Sequence, residues 1–221
     1  MYKYLLRLAR LIFGLALYAL GSVVAIKANI GYAPYDVLNS GVSNITGMLI
    51  GTAGIVLGFL FLLIAVLLGE KIGIGSILNM LLIGAFMNVF LALNFVPVMK
   101  EFWSGLLMLG LGLFLIAFAT FFYVSSGLCA GPRDSLMVAI RRLTKWPVGL
   151  CRTLLEGTVV LIGWRLGGQA GLGTLISALG IGVAIQLVCI LMKFDPAAVK
   201  QETLADTLKL FRGWAAGRRQ R

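Results

Sequence analysis

Long apolar stretches dominate the chain, and short polar or glycine-rich segments separate them. A helix needs about 20 apolar residues to cross a hydrocarbon core of about 30 Å. Segments such as NIGYAPYD and GLCAGPRD contain glycine and proline, which commonly mark turns between helices. We predict an all-α integral membrane protein with six transmembrane helices, at about residues 5–28, 50–68, 76–94, 104–126, 149–167 and 174–192.

Two similar motifs divide the chain into halves. Pro34 and Asp36 of GYAPYDVL reappear 98 residues later as Pro132 and Asp134 of GPRDSLM. The same offset matches Thr46/Thr144, Gly51/Gly149, Gly69/Gly167, Gly73/Gly171, Gly75/Gly173 and Gly84/Gly182. These matches indicate an internal duplication, with one repeat at about 5–94 and the other at about 104–192. Since each half contains three spans, an odd number, the two repeats should have inverted topology.

A short polar segment follows each of these prolines. Residues 35–46 and 133–144 are too short and too polar to cross a membrane. Proline is tolerated in the first turn of a helix, so Pro34 and Pro132, the latter preceded by Gly131, predict a helix start at each motif. We expect each repeat to contain one short helix, either interfacial or re-entrant.

Composition and charge placement support a membrane protein of defined orientation. Hydrophobic residues make up 60% of the chain and charged residues 12%, and the net charge is +11. With the N-terminus inside, fifteen of the nineteen Lys and Arg residues fall on the cytoplasmic side. We therefore predict a multi-pass protein of the bacterial cytoplasmic membrane, with both termini cytoplasmic and no nucleic-acid partner. Residues 1–195 form the membrane domain, and the basic tail, 196–221, lies on the anionic inner leaflet as an amphipathic helix.

The two aspartates have two interpretations. Asp36 and Asp134 would each stabilise the positive end of a short helix. Alternatively, a helix start at membrane depth binds an anionic substrate, to which Arg133 adds a positive charge where the first motif has Tyr35. The predicted topology places the two aspartates on opposite sides of the membrane.

A pair of opposite charges lies within the fifth predicted span. Arg152 and Glu156 are four residues apart and can pair on one helix face, whereas the first half has Gly54 and Gly58 at these positions. An intramembrane charge is a candidate for substrate binding or ion coupling. The alternative is that Arg152 merely neutralises Glu156 near the cytoplasmic interface.

Uncharged polar residues also fall within the predicted spans. Asn79 and Asn88 in the third span match Ser177 and Gln186 in the sixth. They are candidates for substrate contact, or for hydrogen bonds between helices. The fourth span becomes polar towards GLCAGPRD, which predicts a wet cavity beside that motif, through Thr120, Tyr123, Ser125 and Ser126.

The composition argues against several kinds of chemistry. Histidine is absent, and the three cysteines, Cys129, Cys151 and Cys189, are scattered singly. This pattern provides no metal cluster, disulfide framework or histidine-dependent nucleophile, and no phosphate-binding glycine loop is present. We therefore expect no enzymatic activity, no cofactor and no metal.

Several of these motifs resemble a known family. The pattern G-x-x-P-x-D-x-L, the G-x-G-[ST] turn ending at Ser76, GPRDSLM and the sequence LGGxxGxGT at 166–174 are similar to YczE-type bacterial membrane proteins, which are related to the YitT group. The resemblance covers about residues 10–192. It implies an outline like that of small secondary transporters, without a known substrate.

These observations favour a small-molecule secondary transporter that works by alternating access, in efflux or exchange. The alternative is a non-transporting accessory protein that docks partners through its basic cytoplasmic loop and tail. Glycine pairs in four-residue spacing, such as Gly54 and Gly58, favour close helix packing within one chain, although the same spacing also serves homodimers.

Overall fold

The chain folds into α-helices joined by short loops. The computed structural model describes residues 2–128, 131–195, 199, 201–204, 206, 207 and 209. The eight helices within them are α1 (Tyr2–Lys27), α2 (Pro34–Thr46), α3 (Ile50–Leu67), α4 (Ile74–Leu93), α5 (Phe102–Ser125), α6 (Pro132–Thr144), α7 (Val148–Arg165) and α8 (Leu172–Leu191). No β-strand occurs among these described residues, so the prediction of an all-α protein is confirmed.

Five of the helices are long and apolar enough to cross a membrane. Among the described residues these are α1 from Tyr4 onwards, α3, α4, α5 and α8. The remaining predicted span, the fifth at 149–167, coincides with α7, but Arg152, Glu156 and Arg165 interrupt its apolar sequence. Five helices therefore support a multi-pass membrane protein by composition alone, whereas α7 needs a partner for its charges.

The helix bounds recur at the offset found in the sequence. Adding 98 to the residue numbers of α2, α3 and α4 gives the bounds of α6, α7 and α8. Pro34 and Pro132 are the first residues of α2 and α6, as predicted. Their fixed φ angle suits a first helical turn, in which the missing N–H has no intrahelical partner to lose.

The outer helices α4 and α8 also start in the same way. The backbone N–H of Gly73 donates to Ser76 Oγ at 3.4 Å, and that of Gly171 donates to Thr174 Oγ1 at 3.1 Å. In each case the third helical residue reaches back to the residue before the helix. The Gly-x-Gly-[Ser/Thr] turns therefore act as helix starts in both halves.

The centre of the bundle is the packing of α1 against α5. A Cβ atom added to Gly21 would lie 2.9 Å from the carbonyl oxygen of Gly112, so glycine lets the two backbones approach closely. Leu11, Leu15 and Leu109 are buried at this interface and around it. Helix α4 packs on α1, and α8 packs on α5.

The two central helices run in opposite directions. At one end, Met99 N donates to Lys27 O at 2.9 Å; we call this the Lys27 end. At the other, the Arg7 end, Arg7 Nε donates to Ser126 O at 2.6 Å. The start of α1 therefore lies beside the end of α5.

The described part of the tail folds against the Arg7 end. Glu202 pairs with Arg7, its N–H donates to Gly127 O at 2.9 Å, and Leu204 N donates to Ile72 O at 2.9 Å. The remaining tail positions, on which most of the predicted amphipathic helix falls, lie outside the described residues.

Each short helix packs mainly on a long helix of the other half. Helix α2 packs mainly on α7, and α6 packs mainly on α3. At the first contact, a Cβ atom on Gly41 would lie 2.5 Å from the carbonyl oxygen of Gly163, so that crossing requires glycine. Near the end of α2, Asn44 Nδ2 donates to Gly167 O at 2.7 Å. Near the end of α6, Arg142 Nη1 donates to Gly69 O at 3.2 Å.

Candidate functional site

The starts of α2 and α6 meet in the interior of the bundle. A cavity of about 210 Å³ is lined by Pro34 and Tyr35 of α2 together with Arg133 and Asp134 of α6. A second cavity of about 80 Å³ is lined by Tyr35, Asp36, Pro132 and Arg133. Tyr18, from the interior of α1, lines both cavities. Two cavities with charged side chains in their walls therefore adjoin at the point where the halves meet.

Arg133 occupies the boundary between the cavities. Its Nη2 atom donates to the hydroxyl of Tyr18, and its guanidinium carbon lies 5.1 Å from the Tyr18 ring centroid and 4.7 Å from that of Tyr35. None of the three ion pairs among the described residues involves Arg133. Two aromatic rings and a hydroxyl thus hold the guanidinium, and no described carboxylate lies within ion-pair distance of it.

The two predicted aspartates lie close to this arginine. Asp36 is 8% exposed and accepts a hydrogen bond of 3.2 Å from Asn39 Nδ2. Asp134 lines the larger cavity. The two aspartates were predicted on opposite sides of the membrane; in the bundle they line two cavities that share Arg133, because α2 and α6 start in the interior and run to opposite ends from there.

The predicted pair on α7 is present. Arg152 Nε donates to Glu156 Oε1 at 2.8 Å, and both residues line the larger cavity. Glu156 also lines an apolar cleft of about 630 Å³ between α7 and α8. The pair lies between the central cavity and the outer surface. Arg152 can therefore neutralise Glu156 while Glu156 still faces the cavity.

The uncharged candidates separate into two groups. Asn79 lines the smaller cavity, and its Oδ1 atom would lie 3.3 Å from a Cβ atom on Gly131. Ser177 lines the larger cavity. Asn88 and Gln186 line neither cavity. Asn88 instead makes hydrogen bonds from α4 to α3, as in the second of the two interpretations of this residue.

The two cavities are lined by matching positions of the two halves. Eleven residues of the smaller cavity correspond, at the offset of 98, to residues of the larger one: Tyr18/Ile116, Ser22/Thr120, Tyr35/Arg133, Asp36/Asp134, Asn39/Met137, Gly54/Arg152, Leu57/Leu155, Gly58/Glu156, Asn79/Ser177, Ile83/Ile181 and Met87/Ile185. Both acidic positions are kept, whereas the charges of Arg133, Arg152 and Glu156 occur in the second half only. The arrangement can therefore bind groups of either sign, with the richer chemistry in the larger cavity.

Sequence reasoning missed Tyr18. A tyrosine within an apolar span needs a partner for its hydroxyl, so its position in α1 was a usable signal. Of the residues that predicted a wet cavity, Thr120 and Tyr123 line it, whereas Ser125 and Ser126 do not. No group of three His, Cys, Asp or Glu residues that could hold a metal occurs in the part of the chain that the structure describes.

Comparison with known proteins places the chain in a family. A model described as "Family of unknown function (DUF6198)" matches residues 5–189. The chain belongs to this family. It is 34% identical over 176 residues to the uncharacterized membrane protein YczE of Bacillus subtilis (strain 168). The match covers 78% of this chain and 80% of the relative. The predicted resemblance to YczE-type proteins is confirmed.

Two other relatives are also uncharacterized. An uncharacterized protein of Haemophilus influenzae (strain ATCC 51907 / DSM 11121 / KW20 / Rd) is 31% identical over 176 residues, covering 80% of each chain. The uncharacterized protein YyaS of Bacillus subtilis (strain 168) is 28% identical over 167 residues, covering 74% of this chain and 83% of the relative. No solved structure matches the chain. The match to the membrane protein YczE therefore supports a membrane protein, and the family has no known activity.

Proposed function

We propose that this protein is a secondary transporter of a small molecule in the bacterial inner membrane. The observation that carries the proposal is the pair of matched cavities at the starts of α2 and α6. Transporters built from inverted repeats commonly bind substrates near the bilayer midplane, where broken helices of both repeats meet. A cavity that belongs to both halves suits alternating access by movement of one half against the other.

The helix arrangement supports two inverted repeats of three spans each. α1 and α5 run antiparallel, and the exchange of halves converts the packing of α2 on α7 into that of α6 on α3. In this proposal α7, the fifth predicted span, crosses the membrane with the other five, because the ion pair of Arg152 and Glu156 lowers the cost of its charges. The short helices α2 and α6 are then re-entrant.

Charge placement supports the orientation. Arg7, Glu70 and Arg142 lie at the Arg7 end of the bundle. Two further basic residues, Arg10 and Lys71, are close to them in the sequence. An excess of Lys and Arg marks the cytoplasmic side, so this end is proposed to be cytoplasmic, with both termini. The same basic residues would contact anionic lipids of the inner leaflet.

The side chains of the two cavities suggest roles. Arg133 would bind an anionic group of the substrate, and Asp134 or Asp36 would bind a cationic group. Glu156, held by Arg152, is the candidate for ion coupling. The cavity of about 210 Å³ suits a small molecule, and efflux or exchange is the proposed direction. The proposal requires no catalysis and no cofactor.

The test starts with metabolite profiles of cells and medium. We would compare a deletion strain with strains that produce the wild type, Arg133→Ala or Lys100→Ala. Lys100 is exposed and lines neither cavity, so its variant controls for expression and net charge. Metabolites whose distribution depends on the wild type and on Arg133 are then loaded into proteoliposomes. Identical movement with and without the protein would reject transport.

A second candidate is an accessory protein without transport activity. Its support is the exposed surface at the end of α6, where Leu143 is 60% and Trp146 is 46% exposed beside Arg141 and Lys145. Replacing Arg141 and Lys145 by alanine would impair this role and leave transport unchanged. The charged side chains in the walls of the two cavities favour transport over this alternative.

A further inference from the structure

The outer helices of the first half are tightly packed. Gly51 of α3 faces Gly84 of α4, where a Cβ atom would lie 2.5 Å from Ile55 Cγ1. Asn88 then joins the two helices, because its Oδ1 accepts from Gly51 N and its Nδ2 donates to Thr52 Oγ1, each at 2.9 Å. Glycine is required at this crossing, and the asparagine fixes it.

The matching helices of the second half stand apart. A Cβ atom on Gly149 or Gly182, the counterparts of Gly51 and Gly84, would meet no atom within 4 Å. The same holds for Gly157, and the cleft of about 630 Å³ separates α7 from α8. In this conformation nothing in the packing requires glycine at these positions, although each glycine weakens the helix that contains it by up to about 1 kcal/mol.

A polar side chain on α8 provides an independent observation. Gln186 is the counterpart of Asn88, but it is exposed on the surface that would face lipid, and it makes no hydrogen bond with any described residue. Transfer of an amide group from water to hydrocarbon without a hydrogen-bond partner costs about 4–8 kcal/mol. Gly149 and Gln186 thus both lack the contacts that their counterparts make.

We propose that α8 closes onto α7 in a second conformation, with the packing that α4 makes on α3. Gly149 then faces Gly182, and Gln186 bonds to the backbone of α7 at Gly149. Closure removes the cleft and covers Glu156 from the side of the lipid. The described structure is the open form of this gate.

Closure would also change the central site. Pro34 and Glu156 line both the cleft and the larger cavity, so the two spaces adjoin. The matching cavity beside the packed pair α3 and α4 has a volume of about 80 Å³, against about 210 Å³ beside the separated pair. The gate therefore controls the size of the larger cavity and its access from the membrane.

Crosslinking tests the gate in the full chain in membranes. The pair Leu150→Cys/Gln186→Cys corresponds to Thr52 and Asn88, whose side chains are in contact. In a background with the three native cysteines replaced by alanine, we expect an oxidant to link Leu150→Cys to Gln186→Cys within one chain. Thr52→Cys/Asn88→Cys is the positive control.

A second pair controls for non-specific collisions. Leu154 and Val183 are exposed on α7 and α8, and their counterparts, Val56 and Ala85, are exposed on the packed pair. Leu154→Cys/Val183→Cys should therefore remain unlinked when the gate closes. Adding Gly182→Leu should lower the rate of the Leu150/Gln186 crosslink about tenfold, because the new side chain overfills the closed crossing.

The outcomes are decisive. The gate would be overturned if the Leu150/Gln186 pair formed no crosslink within a chain while the Thr52/Asn88 pair reacted. If the Leu150/Gln186 link formed only between two chains, a second copy would fill the cleft instead. The inference rests on the repeat that supports the proposed function, but the crosslink is measured without substrate. A closed gate without transport, or transport without closure, would separate the two proposals.

Discussion

The two halves of the molecule share one plan of helices but differ in how their outer helices pack. In the first half, Gly51 and Asn88 lock α3 and α4 together. In the second half, Gly149 and Gln186 make no such contacts with described residues, and a cleft remains. The comparison teaches that matched helix bounds do not impose matched packing, even where both halves keep the same glycines.

The largest expected effect separates the two helix crossings. Gly84→Leu should lower the stability of the protein by about 1–3 kcal/mol, because the new side chain overfills the contact with α3. Gly182→Leu should change stability by less than about 0.5 kcal/mol, since its surroundings are empty. Apparent melting temperatures in one detergent would measure both. Equal losses would mean that the second half is packed like the first.

The next effect distinguishes Arg133 from its counterpart Tyr35. Arg133→Ala should lower the transport rate about 10- to 100-fold, as expected for the loss of hydrogen bonds to a charged group. Tyr35→Ala removes only one aromatic face from the guanidinium and should cost about 2- to 5-fold. Proteoliposome rates would measure both variants. A larger loss for Tyr35→Ala would assign the main role to the first half.

Glu156 offers a test of the chemical difference between the halves. Glu156→Gln keeps the side-chain shape but removes the charge that Arg152 neutralises. We expect substrate exchange to persist while accumulation driven by a pH gradient is lost. Arg165→Gln, an exposed charge change on the same helix, is the matched control. Unchanged accumulation by Glu156→Gln would make this residue a structural partner of Arg152.

The smallest effect concerns the two carboxamides. Asn88→Ala should lower stability by about 0.6 kcal/mol, the average measured for a hydrogen bond between membrane helices. Gln186→Ala should leave stability unchanged or increase it, because no described residue bonds to this side chain. Unfolding of both variants in mixed detergent would measure the difference. A loss for Gln186→Ala alone would contradict the open arrangement of α7 and α8.

The sequence was sufficient for the local structure. Apolar length located the long helices, and Pro34 and Pro132 located the starts of the short ones. These features depend on residues close together in the chain. The pair of Arg152 and Glu156 was predictable for the same reason, since residues four apart share one helix face.

The candidate site was less predictable, because it depends on packing between distant segments. Asp36 and Asp134 were expected far apart, but α2 and α6 both begin in the interior. Tyr18 contacts Arg133 across 115 residues of chain, a partnership that no local pattern encodes. Equally, the repeat predicted Asn88 and Gln186 to be equivalent, whereas helix separation makes their surroundings different.

The contact between Tyr35 and Arg133 has a consequence for the ancestry of the chain. These residues occupy the same position in the two halves and lie 4.7 Å apart, from the ring centroid to the guanidinium carbon. In an ancestral complex of two identical halves, one residue type would have had to meet itself there. Two arginines at about 5 Å would repel by about 3 kcal/mol at an effective dielectric constant of about 20. Because the two halves of this chain differ in sequence, one cation can lie against one aromatic ring, and the covalent link between the halves fixes which of them carries the charge.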